Sequence, residues 1–508
     1  MSLHKTDNSI KSKPGKEDTV RGFLSYFYGN FVVLILGFIQ TPLLTRILST
    51  GEYGKTGMFE TAVSVIYIFA IMGLDQAYIR FYYGHKTSGD TSVPVDRGIL
   101  LRRCITPSLI AVTFLSLVYI ISSEPVNIFL FGESSPDVTA LVIVYTYISV
   151  LERFFFLDVR MQQNGRLYSN INIIEKVLSI LTIIVLFFLR GDNFRIGLYA
   201  LAIPWGTTTT YLIIRYFVIN RASATGKPGS AAREADRGYS PSFRELISYG
   251  LPFITVLLME WALSSCDRVA LRMFSGFEET GIYGSAMKII ILLITFKNTF
   301  IAYWSPVAMK RFESGVTEEN KAFFRKAYEM VVFLCITAAV TLILLRKVIV
   351  MLLGPSYRSA ERVIPFLTLM PVFAIMFEIT NQSIKFTKRG RYLNIASLAA
   401  LVTNITGNLL LVPRLGSIGA AMTTGISYMI YFAIGSYFAE KCIRIGYDHK
   451  KTALYALLAV LYCVEASFAS GTVRDLVCGG VVLAVIFFIE RDKIRVIGGY
   501  VKRAVKKP

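Results

Sequence analysis

Runs of about twenty predominantly apolar residues recur from one end of this chain to the other, and no other feature constrains its fold as tightly. FVVLILGFIQTPLL (31–44), VLSILTIIVLFFL (177–189) and VCGGVVLAVIFFI (477–489) lie within three of them. As helices, such runs cross the hydrocarbon of a bilayer with every backbone N–H and C=O paired internally. Of 508 residues, 54% are hydrophobic and 17% charged, whereas a soluble domain carries roughly 25% charged residues. Too little polar surface is left to keep so many runs in a water-soluble core. The chain reads as an all-α polytopic membrane protein.

Helix breakers and charges set the boundaries. They place about fourteen transmembrane helices near 22–46, 55–80, 99–122, 138–160, 167–189, 196–217, 246–271, 280–304, 326–352, 361–385, 391–412, 418–440, 452–469 and 473–490. The net charge of +20 is not gathered in one patch. It recurs in the tail (Lys5, Lys11, Lys13, Lys16), the second loop (Lys86, Arg97, Arg102, Arg103) and the linker (Arg221, Lys227, Arg233, Arg237, Arg244). The loops at Lys388–Arg391 and His449–Lys451 and the ending KRAVKKP are basic too, while the third loop, SSEPVNIFLFGESSPD, is acidic. The positive-inside bias then puts even-numbered loops and both termini in the cytoplasm, which explains the charge better than nucleic-acid binding does. The tail at 1–21 has no apolar core, and the run after it is too long for a cleaved signal, so it reads as an uncleaved first span.

The six cysteines form no CxxC pair, and the three histidines fall in expected tails or loops. Neither a metal site nor another cofactor is expected.

The chain also repeats itself. RILSTGEYGKTG follows span one and RMFSGFEETGIYG follows span seven. Both carry Glu-x-Gly-x-x-Gly, at Glu52, Gly54, Gly57 and at Glu279, Gly281, Gly284, and both spans contain Tyr-Gly near their start. Six spans separate the copies, so both keep one orientation. That is a parallel repeat about an axis along the membrane normal, with a substrate site between two six-helix lobes. The organisation expected is an N-lobe (22–217), a linker (218–245), a C-lobe (246–440), two additional spans (452–490) and a basic cytoplasmic tail (491–508).

Ionisable groups inside a span are costly and usually face a partner or a wet cavity. Span five carries Ser169, Asn172, Lys176 and Ser179 on one face; span seven carries Glu260, Ser264 and Asp267; span eight carries Ser285, Lys288, Thr295 and Thr299. Arg153 and Arg160 lie seven residues apart on one face of span four. Asp75 and Arg80, in GLDQAYIRFY, are five residues apart and diverge by about 140° on a helix; Gln76, one turn from Arg80, is expected to bond toward it. Arg80 and Arg160 sit near cytoplasmic ends, where snorkelling explains them as readily as function. Arg46 and Arg268 sit near outer ends, against the charge bias. The expected substrate-binding cations are therefore Arg46, Arg80, Arg153, Arg160, Lys176, Arg268 and Lys288. Asp75, Glu260, Asp267 and Glu378 would either couple an ion, H⁺ or Na⁺, or balance those cations. A cation excess favours an anionic cargo, and arginine suits phosphate.

TPLLTRILSTGEYGKTGMF (41–59) followed by GLDQAYIRFYYG (73–84) resembles the polysaccharide-exporter family of oligosaccharide flippases. That family lies in the larger superfamily of multidrug, oligosaccharidyl-lipid and polysaccharide exporters. The resemblance implies two six-span lobes with two additional C-terminal spans, a cationic central cavity and export of a polyprenyl-pyrophosphate-linked glycan by alternating access. It also implies membrane lipids as surroundings and a glycan polymerase or other assembly protein as partner. Arg46, Asp75 and Arg80 fall within the matching segments; the other site residues rest on the polar faces alone. Three rivals are an ion-coupled multidrug or metabolite antiporter, whose cavity should carry a carboxylate excess, a membrane glycan enzyme, which the short outer loops disfavour, and a non-transporting scaffold for glycan assembly.

Overall fold

The structure, a computed structural model, describes residues 16–88, 91–225, 241–469 and 471–491. Much of the basic tails and of the expected linker lies outside the described residues. The first half contains α1 (Lys16–Ile47), α2 (Thr50–Ile71), α3 (Leu74–Phe81), α4 (Arg97–Ile121), α5 (Ser123–Phe131), α6 (Pro136–Met161), α7 (Gly165–Arg190) and α8 (Arg195–Thr225). The second half contains α9 (Phe243–Phe274), α10 (Gly276–Glu313), α11 (Glu318–Val350), α12 (Ala360–Thr380), α13 (Gln382–Phe386) and α14 (Arg391–Cys442), followed by α15 (His449–Phe468) and α16 (Thr472–Ile489).

Local chemistry sets many of these starts. Asp96, Asn164, Thr317 and Asp448 each accept a backbone N–H from the first turn of the helix they precede. Ser242 and Glu245 form a reciprocal capping box at the start of α9. Among the described residues ten helices are long and apolar enough to cross a membrane, and α2 with α3 makes eleven if that bent pair counts as one span.

The structure differs from the sequence expectation in four places. The second span is not straight: α2 and α3 meet at 52°, where Met72 and Gly73 take φ values of 50° and 67°. Spans eleven and twelve are two helical limbs of α14, joined without a loop at a kink at Gly416 (φ 55°, ψ −133°). The acidic third loop contains α5, because IFLF within it is itself apolar. The second loop folds into an antiparallel hairpin, β1 (His85–Ser88) with β2 (Thr91–Pro94), a small departure from an all-α chain.

Packing inverts the soluble pattern. α4 leaves Ile110, Phe114, Leu117 and Ile121 exposed, and α7 leaves Leu181, Val185 and Phe188 exposed. These positions, three or four residues apart, form stripes fit for acyl chains. α12 is instead buried nearly all round and forms the axis of the second half. Arg346 of α11 and Asp475 of α16 form a buried ion pair at 2.9 Å, with Tyr462 of α15 donating to the same carboxylate oxygen.

The halves meet at both ends of α2. A Cβ on Gly54 would lie 2.1 Å from the Phe277 carbonyl oxygen, and one on Gly281 would lie 1.9 Å from the Thr50 carbonyl oxygen. Only glycine permits this backbone-to-backbone approach. Some 28 Å along α2, a Cβ on Gly73 would lie 2.2 Å from the Gly250 carbonyl oxygen. At the α1–α2 end, Tyr357 also donates to the carbonyls of Leu48 and Ser49, both at 2.9 Å.

Candidate functional site: a charged cavity between the two halves

Between those two contacts lies a cavity of about 1140 Å³, walled by α1, α2, α7 and α8 from the first half and α9 and α10 from the second. Most of the wall is apolar or small. Among the described residues four charged side chains break it: Glu60, Lys176, Arg268 and Lys288. The amphipathic faces read from the sequence put Lys176 and Lys288 here, alongside Thr295.

Glu60 of α2 organises the charges. Its Oε2 lies 3.4 Å from Nη1 of Arg268, and its Oε1 lies 3.7 Å from Nζ of Lys288. Arg268 also donates to the carbonyl of Gly57 at 3.4 Å. Lys176 faces Gln40, its Nζ 3.5 Å from Oε1, and Gln40 donates onward to Ser179 at 2.8 Å. Lys176 and Gln40 therefore join α7 to α1, while Glu60 joins α2 to α9 and α10. The polar-face argument missed Glu60 because its partners sit on other helices; the available signal was a carboxylate in the middle of an apolar span.

The other expected cations lie elsewhere. Arg46, Arg80 and Arg160 are exposed and outside the cavity wall. Arg153 is half-buried and grips Asp75, its Nη2 and Nε lying 2.6 and 3.1 Å from Oδ2. Gln76 donates to this same oxygen at 3.0 Å, so it supports Asp75 and not Arg80 as expected. The cause is the bend at Gly73, which starts α3 with Asp75 turned in toward α6.

The carboxylates divide as clearly. Glu378 pairs with Lys385 at 2.9 Å, a charge balance within one stretch of chain. Glu260 is exposed on α9. Asp267, 1% exposed, has no cation beside it among the described ion pairs. Its Oδ1 accepts from Asn404 at 3.0 Å and Asn408 at 2.7 Å, and its Oδ2 accepts from the hydroxyls of Tyr283 and Thr424. The Oδ1 of Asn408 is buried without a hydrogen-bond partner. Asp267 is thus a buried carboxylate held by neutral groups where α9, α10 and both limbs of α14 meet. Among the described residues no group of three or more His, Cys, Asp or Glu side chains could hold a metal ion.

Comparison with known proteins follows the same lines. The family described as "Polysaccharide biosynthesis protein" matches residues 19–312. An uncharacterized membrane protein of Methanocaldococcus jannaschii, MJ1068, is 23% identical over 491 residues, covering 93% of this chain and 94% of that protein. Among solved structures, the lipid II flippase MurJ in an inward closed conformation aligns with a TM-score of 0.62 at 15% identity, covering 92% of this chain and 99% of that one. An inward-facing multidrug resistance MATE family transporter of the MOP superfamily aligns at 0.55 and 15% identity, covering 84% and 96%. At these identities the likeness is one of fold, and the fold is the one these two proteins share.

Proposed function

The chain belongs to the polysaccharide biosynthesis protein family, and from that premise we propose that it translocates a polyprenyl-pyrophosphate-linked oligosaccharide across the cytoplasmic membrane by alternating access, for cell-surface polysaccharide synthesis. One observation carries the reading: the described cavity wall holds three cations, Lys176, Arg268 and Lys288, against one carboxylate, Glu60. A net positive, partly desolvated cavity attracts a pyrophosphate and disfavours a cationic drug. Its volume exceeds the range of about 300–1,000 Å³ typical of small-molecule pockets, leaving room for sugars behind the pyrophosphate while the polyprenyl tail stays in lipid.

The proposed architecture is fourteen spans in two six-helix lobes plus α15 and α16, with both termini cytoplasmic. Splitting α14 at Gly416 and adding α1 and α8 to the eleven apolar spans gives that number. The repeated motif supports the parallel halves. Glu52 accepts the backbone N–H of Phe194 at 2.7 Å, at the start of α8, and Glu279 accepts that of Ser417 at 2.8 Å, at the start of the second limb of α14. Gly54 and Gly281, in equivalent motif positions, face each other.

In this reading Arg268 and Lys288 hold Glu60 until the cargo pyrophosphate displaces it, and Lys176 completes the anion's surroundings. Release of the Gly54–Gly281 contact opens one end of the cavity, and release of the Gly73–Gly250 contact opens the other. Asp267 is the coupling residue. Its carboxylate and the neutral oxygens around it suit a proton or a sodium ion, and Asn408 Oδ1, buried without a partner, is the spare acceptor such a site needs. Asp75 and Glu378 balance Arg153 and Lys385. The test is reorientation of a labelled polyprenyl-pyrophosphate oligosaccharide in vesicles containing only this protein. A flippase moves the label between leaflets; a scaffold leaves it where it was added.

A further inference from the structure

Away from the central cavity, a second pocket of about 190 Å³ opens where the start of α4 meets the ends of α6 and α8. Arg97 and Arg215 both line it. Arg97 lies over the Tyr82 ring at 4.7 Å, and neither arginine has a described salt bridge. Gln162 and Asp158 line it as well. Asp158 is buried and already accepts from Tyr78 at 2.7 Å and Gln162 at 2.6 Å. Two guanidiniums against one hydrogen-bonded carboxylate leave the pocket cationic.

We propose that this pocket binds the phosphodiester headgroup of a membrane glycerophospholipid. Guanidinium forks suit phosphate oxygens, and basic pockets between spans at a membrane face recognise anionic headgroups. The volume, on the order of six waters in the liquid, admits a phosphodiester and excludes an oligosaccharide. The surroundings point to lipid and not to a soluble phosphate. Arg215 shares its stretch of α8 with Tyr211, Ile214, Phe217 and Val218, all exposed large apolar side chains on which acyl chains can lie. The site is independent of the transport reading, since it touches none of the residues of the central cavity.

Native mass spectrometry of the full chain, released from nanodiscs of mixed phosphatidylglycerol and phosphatidylcholine, tests the proposal. Wild type should retain phosphatidylglycerol, and the Arg97→Gln/Arg215→Gln double variant should retain it roughly tenfold less. Arg215→Lys, which keeps the charge but not the fork, should fall between and guards against misfolding of the double variant. Arg166→Gln, which removes an exposed cation at the same end of the bundle, should match wild type. Equal retention by wild type and the double variant overturns the proposal, as does an equal loss in Arg166→Gln. Binding of millimolar glycerol phosphate with no retained lipid overturns the lipid source.

Discussion

Glu60 on α2 lies 3.4 Å from Arg268 on α9, so one ion pair crosses from the first half of the chain to the second inside the cavity. With Lys288 at 3.7 Å, this carboxylate is, in the proposed mechanism, the internal counterion that an anionic cargo replaces. Glu60→Gln should therefore strengthen binding of a polyprenyl pyrophosphate. Even at the dielectric of bulk water, losing one competing charge at this distance is worth about 1 kcal/mol, or roughly fivefold in affinity, and a partly desolvated cavity raises that figure. Turnover should slow, because release is opposed by the same energy. Equilibrium binding in detergent and vesicle transport together check both halves of the prediction.

Lys176→Ala and Lys288→Ala should each impair glycan export strongly at normal protein levels. Arg80→Ala should impair it much less, because Arg80 is exposed outside the cavity wall. Complementation of polysaccharide export in cells, with protein abundance measured alongside, separates these outcomes.

Asp267→Asn should uncouple the protein from its driving ion and leave cargo binding intact. The substitution preserves shape but removes the charge that two amides and two hydroxyls surround. Transport driven by an imposed proton or sodium gradient should lose its dependence on that gradient. A variant that still follows the gradient assigns coupling elsewhere.

Gly281→Val should weaken the contact at the α1–α2 end. Even the first carbon of the new side chain would fall 1.9 Å from the Thr50 carbonyl oxygen, and backbone cannot move aside cheaply. A cysteine at Thr56, which lines the cavity, should then react faster with a membrane-impermeant maleimide. An unchanged labelling rate removes the glycine contact from the gating scheme.

Asp475→Asn should destabilise the fold without touching transport chemistry. Breaking a buried ion pair by removing one partner costs about 3–5 kcal/mol, and both partners here are buried. The thermal unfolding midpoint should fall, while the affinity for cargo among surviving folded molecules should not change.

The apolar runs announced the helices because a span's length and composition are local properties. The paired Glu-x-Gly-x-x-Gly segments were equally legible, and the structure puts Gly54 against Gly281. Lys176, Arg268 and Lys288 could be singled out because a cation within a span has few alternatives to a polar cavity. Which cations share a cavity is a tertiary property. Asp75 and Arg153 are 78 residues apart, and Glu60 and Arg268 are 208 apart, with nothing local to couple them. The bend at Gly73 was written as a single glycine, and a glycine in an apolar span also serves close packing. Asn404 and Asn408, one helical turn apart in an apolar stretch, were a readable sign of the Asp267 cluster that charge-based reasoning passes over.

The central claim is that the cavity selects cargo by negative charge. The most direct measurement compares transport, in vesicles, of one oligosaccharide carried on a polyprenyl pyrophosphate and on an uncharged polyprenyl ether. The account predicts rapid movement of the pyrophosphate form, little of the neutral form, and loss of that preference in Lys176→Gln/Arg268→Gln/Lys288→Gln. Equal rates for the two carriers in the wild-type protein would contradict it.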